Sequence, residues 1–317
     1  MDVALVIGGA GFVGSNLVDR LMTENKHVRV LDDFSNGKRE NLSKWLDNDR
    51  FGLIEGDMRN REAVKQAVEN VNVLFLQAAK VSVQQSIDNP YLFFDVNVMG
   101  TVVVLEEARK ADTEKIVVAS SSSVYGDTPT LPKTEDMPVN PISPYGASKL
   151  AQESLAMAFA KTYGMDISAL RYFNVYGPRQ RGGHYAGAIQ IFATRALGNL
   201  PIIIDGDGKQ TRDFTYVEDI VTANVLAASS KKVKGRVYNV GGGNQISIEH
   251  LADTIISKAE STSKKEYGLP RIGDVRNSLA GLERIRGDLG YDPKWPIEKG
   301  ISNTIDWMRK NPIKIIK

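Results

Sequence analysis

The sequence predicts an α/β fold: a doubly wound parallel sheet with a smaller C-terminal α/β lobe. Three observations carry that expectation. Short apolar, β-branched runs alternate with amphipathic helical stretches through the first half of the chain. A glycine-rich turn, Gly8-Gly-Ala-Gly11-Phe-Val-Gly14, stands between the first such run and the first helical stretch. After Arg171 the alternation loosens, and turns and helices dominate from Gln245 onward.

Taken in order, Met1 to Ile7 reads as a strand, and the glycine turn leads into a helix carrying Leu17, Val18, Leu21 and Met22 on one face. Further strands are expected at Val28 to Leu31, Gly52 to Glu55, Val73 to Leu76, Ile116 to Ala119 and Ile167 to Leu170. The longest helical pattern runs from about Tyr91 to Lys110, with Phe94, Val98, Val102 and Leu105 as its buried stripe. Ser143 and Pro144 have the chemistry of an N-cap and a first helical residue, and so open the next long helix. The Gly/Pro/Arg-rich segment Tyr176 to Gly187 then leads to a helix near Ala188 to Leu197 and a strand at Pro201 to Ile204, and the sheet resumes within Thr211 to Val240. The expected division is therefore 1–172 with 211–242 returning to it, and a second lobe from 173–210 and 243–317.

Two features on this frame carry chemistry. Strand, glycine turn and helix together make a dinucleotide cradle, because glycines allow the tight turn and let a pyrophosphate approach free N–H groups at a helix start. Asp32 ends the second strand, where a carboxylate accepts hydrogen bonds from an adenosine ribose and repels a 2′-phosphate, favouring NAD over NADP. Tyr145 and Lys149 lie four apart in Pro144-Tyr-Gly-Ala-Ser-Lys149, on one face of a helical turn. A phenol has a pKa of about 10, and a neighbouring cation favours its anion, which suits removal of a proton from an alcohol.

Bulk properties narrow the remaining choices. Forty basic and thirty-eight acidic residues give a net charge of +2, with no block of like charge to meet a nucleic acid or a membrane; Lys231, Lys232 and Lys234 read as a solvated loop. Cysteine is absent, which excludes disulfides, thiol nucleophiles and thiolate metal sites. His27, His184 and His250 are scattered, so no metal site is expected. With a strand at the very start and no apolar run of membrane length, neither a signal peptide nor a span is predicted, and a cytoplasmic location is expected.

With these residues placed, the chain resembles the extended short-chain dehydrogenase/reductase family, and within it the NAD-dependent nucleotide-sugar 4-epimerases. The resemblance spans nearly the whole length. It rests on the glycine turn, Asp32-Asp-Phe-Ser-Asn-Gly37, Gly56-Asp57-Met58, Asn97-Val-Met-Gly-Thr101, Ser120-Ser-Ser-Ser-Val-Tyr-Gly126, Tyr145-Gly-Ala-Ser-Lys149, Arg171-Tyr-Phe-Asn-Val-Tyr-Gly-Pro178 and Arg212-Asp-Phe. It implies a Rossmann-like sheet and NAD as cofactor, held by Gly8, Gly11, Phe12, Val13, Asp32, Asp33, Ser35, Asn36, Gly37, Asp57, Met58, Gln77, Ala78, Ala79, Lys80, Tyr145, Lys149 and Tyr172. In that arrangement Asp57 and Met58 flank the adenine, and Lys80 reaches a nicotinamide ribose or phosphate. Ile7 and Leu76 depart from the family pattern, where threonine and histidine are usual, and both lie beside cofactor segments.

The same resemblance implies a catalytic triad of Ser121, Tyr145 and Lys149, with Asn97 as a fourth member fixing a water or helix carbonyl near the lysine. For a UDP-sugar substrate it implies contacts from Val81, Ser82, Ser121, Ser122, Ser123, Tyr145, Asn174, Tyr185, Ala186, Ile204, Arg212, Arg271, Asp274 and Ser278. It also implies a homodimer paired through a four-helix bundle, built from the helices near Tyr91 to Lys110 and Pro144 to Tyr163. The implied reaction removes a proton from the sugar O4 and hydride from C4. The resulting 4-keto sugar turns about its pyrophosphate link and takes hydride back on the other face. Dehydrating and decarboxylating relatives carry an acid where this chain has Ser122 and Ser123, which favours epimerisation. Gln77-Ala-Ala79, Leu131-Pro-Lys-Thr-Glu-Asp136 and Gly273-Asp-Val-Arg-Asn-Ser-Leu-Ala280 most resemble the group acting on N-acetylated UDP-hexosamines. UDP-glucose/UDP-galactose and UDP-glucuronate stay open, the Gln180-Arg181 pair suiting a uronate. A non-catalytic, NAD-responsive binding protein is the alternative from another class; the intact triad argues against it.

Overall fold

The computed structural model describes residues 2–180, 187–270 and 275–312. Its strands are β1 (Val3–Ile7), β2 (His27–Asp32), β3 (Phe51–Glu55), β4 (Val73–Leu76), β5 (Lys115–Ser121), β6 (Ile167–Tyr172), β7 (Val175–Tyr176), β8 (Ile202–Asp205), β9 (Thr211–Arg212), β10 (Thr215–Tyr216), β11 (Arg236–Val240), β12 (Ile246–Ser247) and β13 (Lys265–Gly268). Seven of them form one parallel sheet in the order β11-β6-β5-β4-β1-β2-β3. The fold class expected from the sequence is the one observed, a Rossmann-like doubly wound sheet. The order reverses between β1 and β4, which opens a crevice at the carboxyl ends of the strands there.

Helices cover both faces, so the strands are apolar on both sides. In β1, Ala4 and Val6 pack on α1 (Phe12–Thr23) and on the helix Val217–Ser229 through Leu17, Leu21, Ile220 and Ala223. Leu5 and Ile7, one residue out of phase, pack with Val64 from α2 (Arg61–Val68) and with Val104, Leu105 and Ala156 from two later helices. A third apolar cluster lies off the sheet, among Ile189, Phe192, Ile202, Ile204, Leu251, Ile255, Ile301 and Ile305. Among the described residues no helix is long and apolar enough to cross a membrane.

The long helix expected from Tyr91 to Lys110 is not regular. After α3 (Val83–Asp88) the chain forms α4 (Pro90–Phe94), then a π-helical stretch over Asp95–Met99, then α5 (Gly100–Lys110). The wider turn shifts the helical phase of α5 relative to α4. The buried line is therefore Phe93, Asn97, Thr101, Val104 and Ala108, whereas Phe94 is exposed and Val98 and Val102 are half-buried. Of the expected stripe, only Leu105 is fully buried. Ser143 and Pro144 do open α6 (Pro144–Tyr163), the serine Oγ accepting from the Gly146 N–H at 3.1 Å.

The chain after α6 builds the mouth of the crevice. α7 (Ala188–Leu197), α9 (Ile248–Ala259) and α11 (Ile297–Lys310) carry the third cluster. Between them α8 (Val217–Ser229) and β11 return to the main sheet, and the short α10 (Glu283–Leu289) packs beside β11. β9 stays outside that sheet, pairing antiparallel with β12. Asp213, which comes just after β9 and is fully buried, ties these parts together. Its carboxylate accepts from the backbone N–H groups of Gly242 (2.8 Å), Gly243 (3.1 Å) and Ala280 (3.0 Å).

Candidate active site

A cavity of about 1060 Å³ opens at the reversal point of the sheet. Its first wall is the glycine turn. Gly8 has φ +83°, and a Cβ there would stand 2.6 Å from the Ala78 nitrogen; a Cβ on Gly14 would stand 2.1 Å from the Gly8 carbonyl oxygen. Only glycine allows this approach of turn, helix start and neighbouring strand. The start of α1, with Gly11, Phe12 and Val13, faces the cavity, so an anion placed there meets backbone N–H groups and the positive end of the helix.

Asp32 ends β2 on the same wall and is nearly buried. Its two oxygens accept from the N–H groups of Ala10 (2.8 Å) and Phe34 (2.9 Å). Burial raises its pKa, and those two hydrogen bonds oppose the rise. The carboxylate therefore shapes the glycine turn as well as standing where a ribose would be read. Asp33, Ser35, Asn36 and Gly37 continue this rim, Asp33 accepting from the Ser35 N–H at 2.9 Å. Asp57 and Met58 line the next part; Arg59 holds the Asp57 carboxyl below its usual range by hydrogen bonding, and Met58 packs on Gly100.

Gln77, Ala78, Ala79 and Lys80 come after β4 and cross the floor. Lys80 Nζ lies 3.3 Å from Ser35 Oγ. Asn97 braces this segment from below, accepting from the Lys80 N–H (2.8 Å) and donating to the Lys80 carbonyl (3.1 Å) and to Ser148 Oγ (3.0 Å). Its amide group thus joins Lys80 to Ser148, the residue before Lys149. Tyr172 closes the floor in a triangle with Gln77 and Asn224. Asn224 Nδ2 donates to the phenol at 2.7 Å, and Gln77 Nε2 donates to Asn224 Oδ1 at 3.0 Å. Asn224, buried on α8, carried no signal in the sequence.

Ser121, Tyr145 and Lys149 all line the cavity. Ser121 ends β5, its Oγ accepting from the Ser123 N–H (3.2 Å) and hydroxyl (2.9 Å). The Tyr145 ring is held edge-on by Phe93, centroids 6.3 Å apart, and its N–H donates to Ser86 Oγ at 3.0 Å. Burial raises the phenol pKa, and a hydrogen bond with Ser121 pulls it back. The Lys149 ammonium donates to the Ala119 carbonyl (2.5 Å) and to Gln152 Oε1 (2.6 Å). Burial takes its pKa down to about 7, opposed by the charge of Glu153. In the protein alone, then, burial works against both the phenolate and the ammonium.

The far end takes the remaining expected residues. Val81, Ser82, Ser122, Ser123, Asn174, Arg212 and Ser278 all line the cavity. Asn174, at φ +26°, donates to the Asp213 carbonyl at 3.0 Å, and the Ser278 N–H donates to the Thr211 carbonyl at 3.1 Å. Ile204 does not join them: it is fully buried in the third cluster, because alternation along β8 turns Ile202 and Ile204 inward. Tyr185, Ala186, Arg271 and Asp274 lie outside the described residues. Gln180 lines the cavity, as does Lys133, which nothing in the sequence marked as a site residue.

The family model described as the NAD dependent epimerase/dehydratase family matches residues 4–241. The chain belongs to that family. Its cofactor is NAD, which the glycine cradle and Asp32 fit. Among similar proteins, a UDP-glucose 4-epimerase of Mycolicibacterium smegmatis is 39% identical over 96% of this chain and 98% of its own length. A UDP-glucuronate 4-epimerase of Thermodesulfobacterium geofontis is 34% identical over 100% and 99%. A solved UDP-N-acetylglucosamine 4-epimerase from Methanobrevibacter ruminantium superposes with a TM-score of 0.93 at 32% identity, covering 98% of this chain and 99% of that one.

Replacing Asp32 with Ala removes both the ribose acceptor and the brace on the glycine turn. Charge-assisted hydrogen bonds are each worth about 1.5–3 kcal/mol, so NAD affinity falls about tenfold or more while discrimination against NADP relaxes. Calorimetric titration with both dinucleotides checks this; unchanged NAD affinity sinks the reading of Asp32.

Proposed function

We propose that this protein is an NAD-dependent UDP-sugar 4-epimerase whose favoured substrates are UDP-GlcNAc and UDP-GalNAc. It is an isomerase: substrate and product differ only in configuration at C4. The observation that carries the reading is that one cavity is lined by the glycine turn and Asp32, by Ser121, Tyr145 and Lys149, and by Asn174, Arg212 and Ser278.

When bound, NAD supplies the acceptor and then the donor of a hydride. The chain supplies the rest. Tyr145 takes the proton from O4 and later returns it, and Ser121 donates a hydrogen bond to that oxygen as its charge changes. Lys149 holds positive charge one helical turn from the phenol. Arg212 and Asn174 hold the diphosphate end, so the keto sugar can turn about a fixed anchor. Ser122 and Ser123 leave the sugar end without a carboxyl at those positions, so elimination of the C6 hydroxyl lacks a proton donor.

Support for an acetamido sugar comes from Ser278, a small side chain held on the cavity wall by its backbone bond to Thr211. A tyrosine there fills the space that the acetamide needs. We place the enzyme in the cytoplasm as a homodimer. Tyr91 (79% exposed), Met99 (55%) and Tyr163 (53%) are large apolar side chains left uncovered along the helices from α4 to α6, which supports the expected pairing.

Tyr145→Phe keeps the ring packing and loses the base, so turnover drops by about 10² to 10⁴ with NAD binding retained. A variant within threefold of wild type in kcat overturns the assignment. Ser278→Tyr lowers kcat/KM for UDP-GlcNAc while activity on UDP-glucose persists or rises, by steric exclusion. Product analysis by NMR reads the ratio, and equal losses on both sugars reject the gate. Light scattering should give two chains per particle for the wild type and one for Met99→Glu; a monomeric wild type removes the dimer.

A further inference from the structure

Glu153 lies one helical turn beyond Lys149 on α6 and takes no part in the proposed chemistry, yet it is a buried carboxylate at the junction of three elements. Its Oε2 accepts from Ser120 Oγ at 2.6 Å, at the end of β5 beside Ser121. The same oxygen accepts from Arg171 Nε at 2.9 Å, and Oε1 accepts from Arg171 Nη2 at 2.6 Å, on β6 beside Tyr172. Arg171 is itself buried and lies over the face of Tyr125, 4.7 Å from its centroid, while the Tyr125 phenol donates to Asn239 Oδ1 at 2.7 Å. One carboxylate thus joins the helix that carries Tyr145 and Lys149 to the strand ends that carry Ser121 and Tyr172.

We propose that Glu153 is a positioning residue for the active site: it fixes the distance between α6 and the ends of β5 and β6, and it sets a negative charge against the Lys149 ammonium. This rests on reading Lys149 as part of the catalytic group. The geometry is unlike a merely structural pair, because both hydrogen-bonded partners are sequence neighbours of site residues. The charge is also suited to its place. Ala119 and Gln152 give Lys149 neutral acceptors, and Glu153 adds the negative charge that favours the ammonium. Arg171 pairs with that carboxylate through two of its nitrogens and keeps it ionised.

The test uses Glu153→Gln, Glu153→Asp and the double variant E153Q/R171M. The double variant removes both buried charges, so that neither is left without its partner as in Glu153→Gln alone. Two readouts are taken: the Lys149 side-chain titration, tracked by heteronuclear NMR on the cofactor-free chain, and kcat and KM for UDP-GlcNAc across pH. The expected result is a lower Lys149 midpoint in Glu153→Gln and in the double variant, with kcat at pH 8 down about tenfold, the size of a one-unit change in pKa, and KM within threefold. Glu153→Asp retains the wild-type midpoint while kcat falls, because the charge remains and the spacing shortens. A wild-type Lys149 midpoint in the double variant, or losses confined to KM, overturns the proposal. Full activity of Lys149→Ala would instead reject the catalytic reading on which it rests, and the NMR titration separates the two failures.

Discussion

A parallel sheet whose strand order reverses between β1 and β4 brings separate carboxyl ends to one place, and the site depends on that convergence. Gly8 comes after β1, Asp32 ends β2, Gln77 comes after β4, Ser121 ends β5 and Tyr172 ends β6. No two of these residues are close in sequence, but the parallel register holds all of them on one rim. Antiparallel strands would send alternate ends to the opposite side. Because helices seal both faces, the strands need few polar side chains along their length. Polar chemistry is pushed to the ends, where the backbone runs out of ladder partners and a ligand can take their place.

The second constraint is the cost of charge inside. Moving an ion out of water costs several kcal/mol even after relaxation, and Lys149, Glu153 and Arg171 are all nearly buried. The bidentate Arg171–Glu153 contact offsets much of that cost for its two members, whereas the hydrogen-bond acceptors of Lys149 among the described residues are the neutral Ala119 carbonyl and Gln152. Its depressed pKa is the consequence. Exposed pairs such as Arg276–Asp207, at 2.8 Å, stay in water, where solvent screening leaves them little net effect. The interior pair therefore has the larger leverage on function, although the surface pairs are more numerous.

How far the sequence revealed this depends on the same physics. Six strands of the main sheet were legible as short apolar runs, which burial on both faces demands of the inner ones, and the glycine turn was legible because a Cβ at Gly8 or Gly14 has nowhere to go. Ser143 and Pro144 marked the start of α6 through local capping chemistry alone. The π-helical stretch over Asp95–Met99 left no such mark. Asn97, within it, bonds to Lys80, seventeen residues earlier in the chain and out of reach of any local sequence pattern. Ile204 was misplaced for a related reason: a short strand tells which residues alternate, not which face meets the cavity.

The two departures from the family pattern, Ile7 and Leu76, acquire a common explanation once the register is known. They are partners across the parallel β1–β4 pair, both fully buried in the cluster under α2, α5 and α6. Neighbouring residues on parallel strands point to the same face, so the two side chains form one apolar contact. A single polar residue there would need a buried partner, and an unpaired one costs about 1–3 kcal/mol; two apolar side chains need none. What shapes the cradle at this point is backbone: the Ile7 carbonyl accepts from the N–H groups of both Gln77 and Ala78 at 2.9 Å. Those bonds are indifferent to the side chain at position 7, and so the sheet interior can change its chemistry while the turn that receives the dinucleotide keeps its shape.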